Sequence, residues 1–399
     1  MRAITLARLP IFASAGFLLF LFLANVWNFA VECDWPKLRI RSASPLAGVA
    51  KPKPATWTLD AFLSGQLQQS VSINVGRLSP VFPISVRAKN QLVFSLLGQS
   101  PAPDVVIGRN AQLFEKPYVN EFCARGAPPD PAQIDAWALS IRQNQDALAR
   151  LGKGFIYVVS PSKAARYPED LPPSAPCAAH AAAMPDKIAP FRQALEARGV
   201  RFVDGATLVT QKRADYPLPL FPRGGTHWNM LAAGLTFQEM IRVAPWAVGD
   251  MTFSWTVASE AVGTDRDLAE LLNLLWPDYA YPTPAMVATT PPGVCPRTPR
   301  LVALGGSFVH ELLVAATLAA CPPEVENWFF MRTEDNGIEL GHYHRPPGET
   351  GNGERQTAAF GVLDENLRNA DFVLLEENES NVSNAQQVRI LSEALARVK

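Results

Sequence analysis

Two short stretches carry residues able to do chemistry. In LVALGGSFVHELL (301–313), Ser307 follows two glycines, closes a strand-like run and opens a helical one. A serine nucleophile needs such a place. Gly305 and Gly306 would permit a sharp turn and close substrate approach, and a helix start offers N–H groups to a developing oxyanion. The plainer alternative is a serine N-cap. In FPRGGTHWN (221–229), His227 stands behind Gly224 and Gly225 and ahead of the helical run WNMLAAGLTFQEMI. A histidine projecting there could serve a nucleophile as general base and acid. Its alternative is a helix-terminal histidine bonded to a carbonyl.

The remaining histidines are weaker candidates. His310 lies three residues after Ser307 on nearly the same helical face, a rival base whose apolar neighbours favour packing. His342 and His344, in GHYHRPPGETGNGE, read as exposed loop residues. Their spacing could hold a metal, but sequence places no acidic partner beside them. None of the five cysteines has CxxC or zinc-ligand spacing, so no metal site is predicted. His180 sits in an Ala-rich loop without a pattern.

The elements that must position Ser307 and His227 can be read from apolar periodicity. DVVIG (104–108), GFIYVVS (154–160), VRFVD (200–204), residues 301–304, residues 327–331 and DFVLL (371–375) read as short buried strands. Between them lie helical patterns. One starts with Asp130 as N-cap and Pro131 at the first position, and carries Ile134, Trp137, Ile141 and Leu148 on one face. Another runs from about 186 to 198 and ends at Gly199, and a last amphipathic helix covers about 384 to 398. Continuous apolar strands separated by helices imply an α/β domain with a mostly parallel sheet and helices on both faces. Sites on such sheets form at the C-terminal strand ends.

Net charge is −1, with charged residues at 18%, so no basic field for nucleic acid exists. The apolar excess is concentrated at the start. Residues 11–31 carry no charge, a run long enough to cross a bilayer core of roughly 30 Å. Arg2 and Arg8 precede it, which predicts a cytoplasmic N-terminus and export of the rest. An uncleaved anchor over 1–33 fits better than a signal peptide, because the run is long and no A-x-A site follows. Glu32 argues against lipidation of Cys33. Residues 34–58, rich in Pro and Lys, read as a tether to a domain over 59–399. Cys123, Cys177, Cys295 and Cys321 fall in the exported part, where disulfides persist, and three pairings are open.

Five blocks taken together resemble a known family. DVVIGRNAQLFEKPYVNEFC (104–123), SPSKAARYPEDLP (160–172), GGTHWN (224–229), GGSF (305–308) and DFVLLEENES (371–380) occur in the order and spacing of the alginate O-acetyltransferase family of AlgJ and AlgX type. These are periplasmic domains similar to SGNH hydrolases, and the resemblance covers about residues 58–398. It implies Ser307 as nucleophile and His227, in the position of a D-T-H-W motif, as base. Serine would accept an acetyl group and a sugar hydroxyl would then attack the acyl-enzyme. It also implies a multi-spanning membrane O-acyltransferase as donor partner, an exopolysaccharide as acceptor, and a single-pass inner-membrane protein with its domain in the periplasm. No nucleotide or CoA signature is present, so no cofactor is expected.

The sequence departs from the family at two places. Gly225 stands where the motif has its aspartate, and Gly306 precedes the serine. Three accounts are open. Asp204, Glu376 or Glu377, each at a strand end, could supply the missing carboxylate; a backbone carbonyl could hold the imidazole; or the domain binds glycan without transferring acyl groups. An esterase would use the same pair and give the acyl group to water. Lys163 and Tyr167, in PSKAARYPE, could line the cleft, or form a turn with an ion pair to Glu169. Arg223 could meet an anionic sugar or an oxyanion, or be an exposed loop residue. Asn378 and Asn381 fall in sequons.

Overall fold

A computed structural model describes residues 2–32, 40, 44–49, 57–126, 129–332, 338–351, 355–356, 360–384 and 386–398. Cys33 and most of the 34–58 stretch lie outside them. The chain divides into two compact units, Met1–Val105 with Ala269–Pro277, and Val106–Leu268 with Asp278–Lys399.

The first unit is helical. Helix α1 (Arg2–Glu32) is followed by α2 (Leu59–Leu63), α3 (Gln66–Arg77) and α4 (Phe82–Leu97). Residues Arg8–Val31 of α1 are long and apolar enough to cross a membrane. Near the end of α1, the buried Asn28 carboxamide donates to the Leu78 carbonyl (2.9 Å) and accepts from the Ile40 N–H (2.9 Å).

The second unit is built on a seven-stranded sheet. Its strands are β3 (Gly154–Ser160), β4 (Phe202–Asp204), β7 (Arg300–Gly305), β8 (Glu324–Arg332), β9 (Ile338–Arg345), β10 (Arg355–Gln356) and β11 (Phe372–Asn378), in the order β10-β9-β8-β7-β11-β3-β4. The five from β8 to β4 are parallel. β9 and β10 extend one edge in antiparallel fashion. The run at 104–108 does not join this sheet. It forms β1 (Val105–Ile107), which pairs with β2 (Leu113–Glu115) in a ladder of its own. A third ladder, β5 (Phe253–Ala258) with β6 (Thr283–Ala288), has no counterpart in the strands read from sequence.

Alternate residues of the parallel strands enter two cores, one on each face. Phe155, Tyr157, Val302, Leu304, Val373 and Leu375 pack against α6 (Pro131–Arg150), α8 (Ile188–Ala197), α13 (Phe360–Asn369) and α14 (Gln387–Arg397). Ile156, Val158, Leu301, Ala303, Phe372 and Leu374 face α9 (Gly205–Lys212), α10 (Met230–Val243) and α12 (Val309–Ala315). The expected cap of α6 is present: the Asp130 carboxylate accepts from Ala132 N–H, with Ile134, Trp137, Ile141 and Leu148 buried below. Two short helices complete the parts relevant to the site, α5 (Lys116–Cys123) after β2 and α7 (Lys163–Arg166) after β3, with α11 (Asp267–Leu271) later in the chain. The cysteines pair as Cys123–Cys177 and Cys295–Cys321.

Candidate active site

Ser307 lies in the turn between β7 and α12, half-buried, at the C-terminal end of a central strand. A buried carboxylate fixes this turn from below. Glu376, on the neighbouring strand β11, accepts the Gly306 N–H (2.8 Å) and is held by the Ser160 hydroxyl from β3. The Gly306 N–H is therefore committed and is not an oxyanion donor. Gly305 is the last residue of β7, in register with Phe329. The close approach of Glu376 explains the glycine, since a Cβ at 305 would stand 2.7 Å from its carboxylate.

His227 sits just ahead of α10. Asn229 caps that helix, its carboxamide accepting from Ala232 N–H and donating to the Pro219 carbonyl (2.7 Å). Trp228 is fully buried, and its indole N–H donates to the Phe308 carbonyl (3.1 Å). The imidazole of His227 lies against the Phe308 ring, with centroids 4.7 Å apart. Phe308 directly follows Ser307, so the two stretches singled out in the sequence meet at this residue.

A carboxylate does reach the imidazole, and it comes from a position sequence reasoning passed over. Asp267 Oδ2 lies 2.6 Å from His227 Nδ1, while its Oδ1 accepts the Thr226 N–H (2.9 Å). One carboxylate thus fixes both the ring and the backbone before it. In the neutral ring this pairing places the proton on Nδ1 and leaves Nε2 as acceptor. Nε2 is buried and has no hydrogen-bond partner among the described residues. Burial by itself would lower the pKa of His227. The Asp267 hydrogen bond and the charges of Glu311, Asp267 and Glu115 outweigh it and raise the value to about 9. Burial in turn pushes both Glu311 and Asp265 up to about 7.

Gly225 now has a physical reason. A Cβ there would stand 2.3 Å from the Thr264 carbonyl oxygen. The turn leading to Asp267 occupies the space that a side chain at 225 would need.

The other carboxylates proposed for this role are engaged elsewhere. Asp204 caps α9 through Thr207 N–H (2.8 Å) and pairs with Arg192 (2.7 Å). Glu377 accepts from the Tyr157 hydroxyl (2.7 Å) and the Trp137 indole (3.2 Å). Glu376 serves the serine turn instead.

Lys163 does not line a cleft. It is buried, and its ammonium donates to the carbonyls of Leu113 (2.8 Å), Pro222 (2.6 Å), Arg223 (3.1 Å) and Gly225 (2.9 Å). It holds the loop that carries His227. Burial lowers its pKa to about 7. Tyr167 is buried as well, its hydroxyl accepting the Leu220 N–H (3.0 Å); Glu169 pairs with Arg213 and not with Lys163. Arg223 stacks on Tyr281 and pairs with Asp278 (2.6 Å), partly exposed. His310 Nδ1 faces Arg345 at 3.1 Å. His342 and His344 are not loop residues. Both lie on β9, with Glu326 of β8 bridging them at 2.6 and 3.0 Å, and His342 is buried. Asn378 is buried and bonded to the Pro161 carbonyl (2.9 Å), which leaves its sequon no accessible amide.

Comparison with known proteins agrees with the resemblance. Residues 105–292, which contain His227 and Asp267, match the family described as "SGNH hydrolase-like domain, acetyltransferase AlgX". The probable alginate O-acetylase AlgJ of Pseudomonas aeruginosa is 29% identical over 178 residues, covering 45% of this chain and 42% of that protein. The chain thus matches less than half the length of that relative. Among solved structures, the O-acetyltransferase domain of Pseudomonas putida AlgJ aligns with a TM-score of 0.44 at 19% identity, over 73% of this chain and 99% of that one. Pseudomonas aeruginosa AlgX aligns with a TM-score of 0.39 at 16% identity, over 73% and 67%. Over residues 105–292 the chain is thus similar to the SGNH hydrolase-like acetyltransferase family of AlgX and AlgJ type.

Proposed function

We propose that this protein is a membrane-anchored O-acetyltransferase that acts on a polysaccharide outside the cytoplasm. Ser307 is the nucleophile, His227 the general base and acid, and Asp267 the residue that orients and charges the imidazole. The observation that carries this reading is the 2.6 Å contact between Asp267 and His227 Nδ1. A glycan-binding domain with no chemistry to perform has no need of a histidine held by a carboxylate at Nδ1 with its Nε2 left, among the described residues, without a hydrogen-bond partner.

In the first half-reaction His227 Nε2 takes the Ser307 Oγ proton as Oγ attacks the acetyl carbonyl. The donor's leaving group departs with that proton, and an ester forms on Ser307. In the second, a sugar hydroxyl passes its proton to Nε2 and attacks the ester. Collapse returns the proton to Oγ and releases the acetylated sugar. A multi-spanning membrane O-acyltransferase is the donor this reading requires. Helix α1 holds the chain in the inner membrane as a single span, with the SGNH-like domain in the periplasm.

The test uses the full-length chain in detergent with a chromogenic acetyl ester, beside Ser307→Ala and His227→Ala. Turnover and a mass adduct of one acetyl group on Ser307, both lost in Ser307→Ala, are expected. Added oligosaccharide then diverts acetyl from water to sugar. A folded protein with neither adduct nor turnover overturns the proposal, and turnover that sugar cannot divert makes the protein an esterase.

A further inference from the structure

The surface of the first unit differs in kind from that of the second. Among the described residues outside α1, every strongly exposed Trp, Phe, Leu and Ile lies in the first unit; the large apolar residues exposed on the second are all valines. Leu59, Leu63, Leu96 and Trp276 are each 72–74% exposed, and Phe62 and Leu97 are more than half exposed. Soluble surfaces rarely gather side chains of this size without an occupant.

Helix α1 indicates what the occupant is. Residues 8–20 are exposed all round, whereas Leu21, Ala24, Asn25 and Asn28 are buried or half-buried along one face. That face packs on α3, and Asn28 ties the helix to the Leu78 carbonyl at the end of α3. A bilayer core takes about 20 helical residues. Counted from Leu9, that span reaches Asn28, so the packed part of α1 falls within its outer end. Elements that pack there lie at the depth of the outer lipid headgroups. Helix α2 packs on α3 in turn, and Asn90 and Gln91 of α4 bond to the 269–277 segment of the same unit; the exposed tryptophan Trp276 of that segment is of the type enriched at membrane interfaces.

We propose that α2, α3, α4 and the 269–277 segment form a platform seated in the outer headgroup layer of the membrane that α1 crosses, with Leu59, Phe62, Leu63, Leu96, Leu97 and Trp276 in contact with lipid. This rests on the reading of α1 as a membrane span. The platform would keep the first unit at the bilayer surface, where an acyl donor embedded in the membrane must present its group.

The full-length chain is reconstituted in vesicles of phosphatidylcholine and phosphatidylglycerol that contain a phospholipid with a carbene-generating diazirine in its acyl chain. Adducts are mapped by mass spectrometry after illumination. Adducts on the peptides containing Phe62–Leu63 and Leu96–Leu97, beside those on α1, are expected. They should be lost from these peptides in the variant Phe62→Glu, Leu63→Glu, Leu96→Glu, Leu97→Glu while α1 stays labelled. Adducts confined to α1 overturn the platform and leave the span intact. Absence of adducts from α1 as well, with the protein washed off by alkaline carbonate, overturns the span itself. Cross-links from positions 63 and 96 to another membrane protein in native membranes, without lipid adducts there, overturn the lipid assignment in favour of a protein partner.

Discussion

Asp267→Asn tests the proposed chemistry at its least anticipated residue. The carboxylate accepts backbone N–H groups through one oxygen and meets His227 through the other, and the amide can keep only one of these two accepting roles. Thr226 N–H requires an acceptor, so the amide oxygen must stay there, where Oδ1 now lies at 2.9 Å. That turns the NH2 group toward His227 Nδ1, 2.6 Å from Oδ2 in the native site. Nδ1 must then accept, the ring proton moves to Nε2, and the nitrogen that should take the serine proton no longer can. In a conventional triad this exchange of tautomer costs about 10⁴-fold in kcat, near 5.5 kcal/mol of transition-state stabilisation. Here Glu115 and Glu311 still favour a charged ring, so a loss of about 10³- to 10⁴-fold is expected. It should appear equally in kcat and kcat/KM for an acetyl ester, with stability changed by less than about 2 kcal/mol. The pH profile adds a second readout. A base must be neutral to act, and His227 titrates at about 9, so at pH 7 only about one part in a hundred is competent. Native activity should rise from pH 7 to above 9, and the inflection should move lower in Asp267→Asn as a charge beside the ring is lost. Activity of the variant within tenfold of native, with an unmoved inflection, would refute the assignment of Asp267.

Lys163→Met keeps the length and bulk of the side chain but deprives four carbonyls of their common donor. It should lower unfolding stability by at least about 3 kcal/mol in urea titration and reduce turnover through the displaced 222–225 loop; a variant as stable as native would contradict the role given to this ammonium. Gly225→Ala places a methyl group against the Thr264 carbonyl, and about 1–3 kcal/mol of destabilisation with lowered turnover is expected, read by the same titration and the ester assay. Glu376→Ala leaves the Gly306 N–H without its acceptor. It should cost about 1–3 kcal/mol and slow acylation of Ser307, measured as the rate of adduct formation.

The parallel core of the sheet was legible because its strands are buried on both faces and so appear as unbroken apolar runs. Residues 154–160 and 301–304 fall in β3 and β7, and all but the first of 371–375 fall in β11. The antiparallel edge was not. Strand β9 ends in GHYHR, where His342 and Arg345 are buried and His342 Nε2 meets Glu326 of the neighbouring strand. A polar residue paired only across a ladder has the same local sequence as one in a loop. The run at 104–108 failed in the opposite sense. Its apolar residues do form a strand, but periodicity says nothing about which sheet a strand joins.

The acid of the candidate site was hidden for a related reason. Ser307 and His227 each announce themselves by glycines and a helix start within a few residues. Asp267 stands 40 residues beyond His227, and in TDRDLAELL it reads as an ordinary acidic helix start. It even acts as one, since Oδ1 also accepts the Leu268 N–H (2.6 Å). The local signal was therefore fully explained by capping, and nothing in it pointed to a second partner. What did point there was the gap at 225. A carboxylate at that position would need a Cβ where the Thr264 carbonyl lies, and the chain that closes this space is the one that delivers Asp267 to Nδ1. Gly225 and Asp267 are in that sense one feature, because the turn that excludes a side chain at the first position supplies it from the second. The absence of the motif aspartate is therefore no argument against catalysis in this chain.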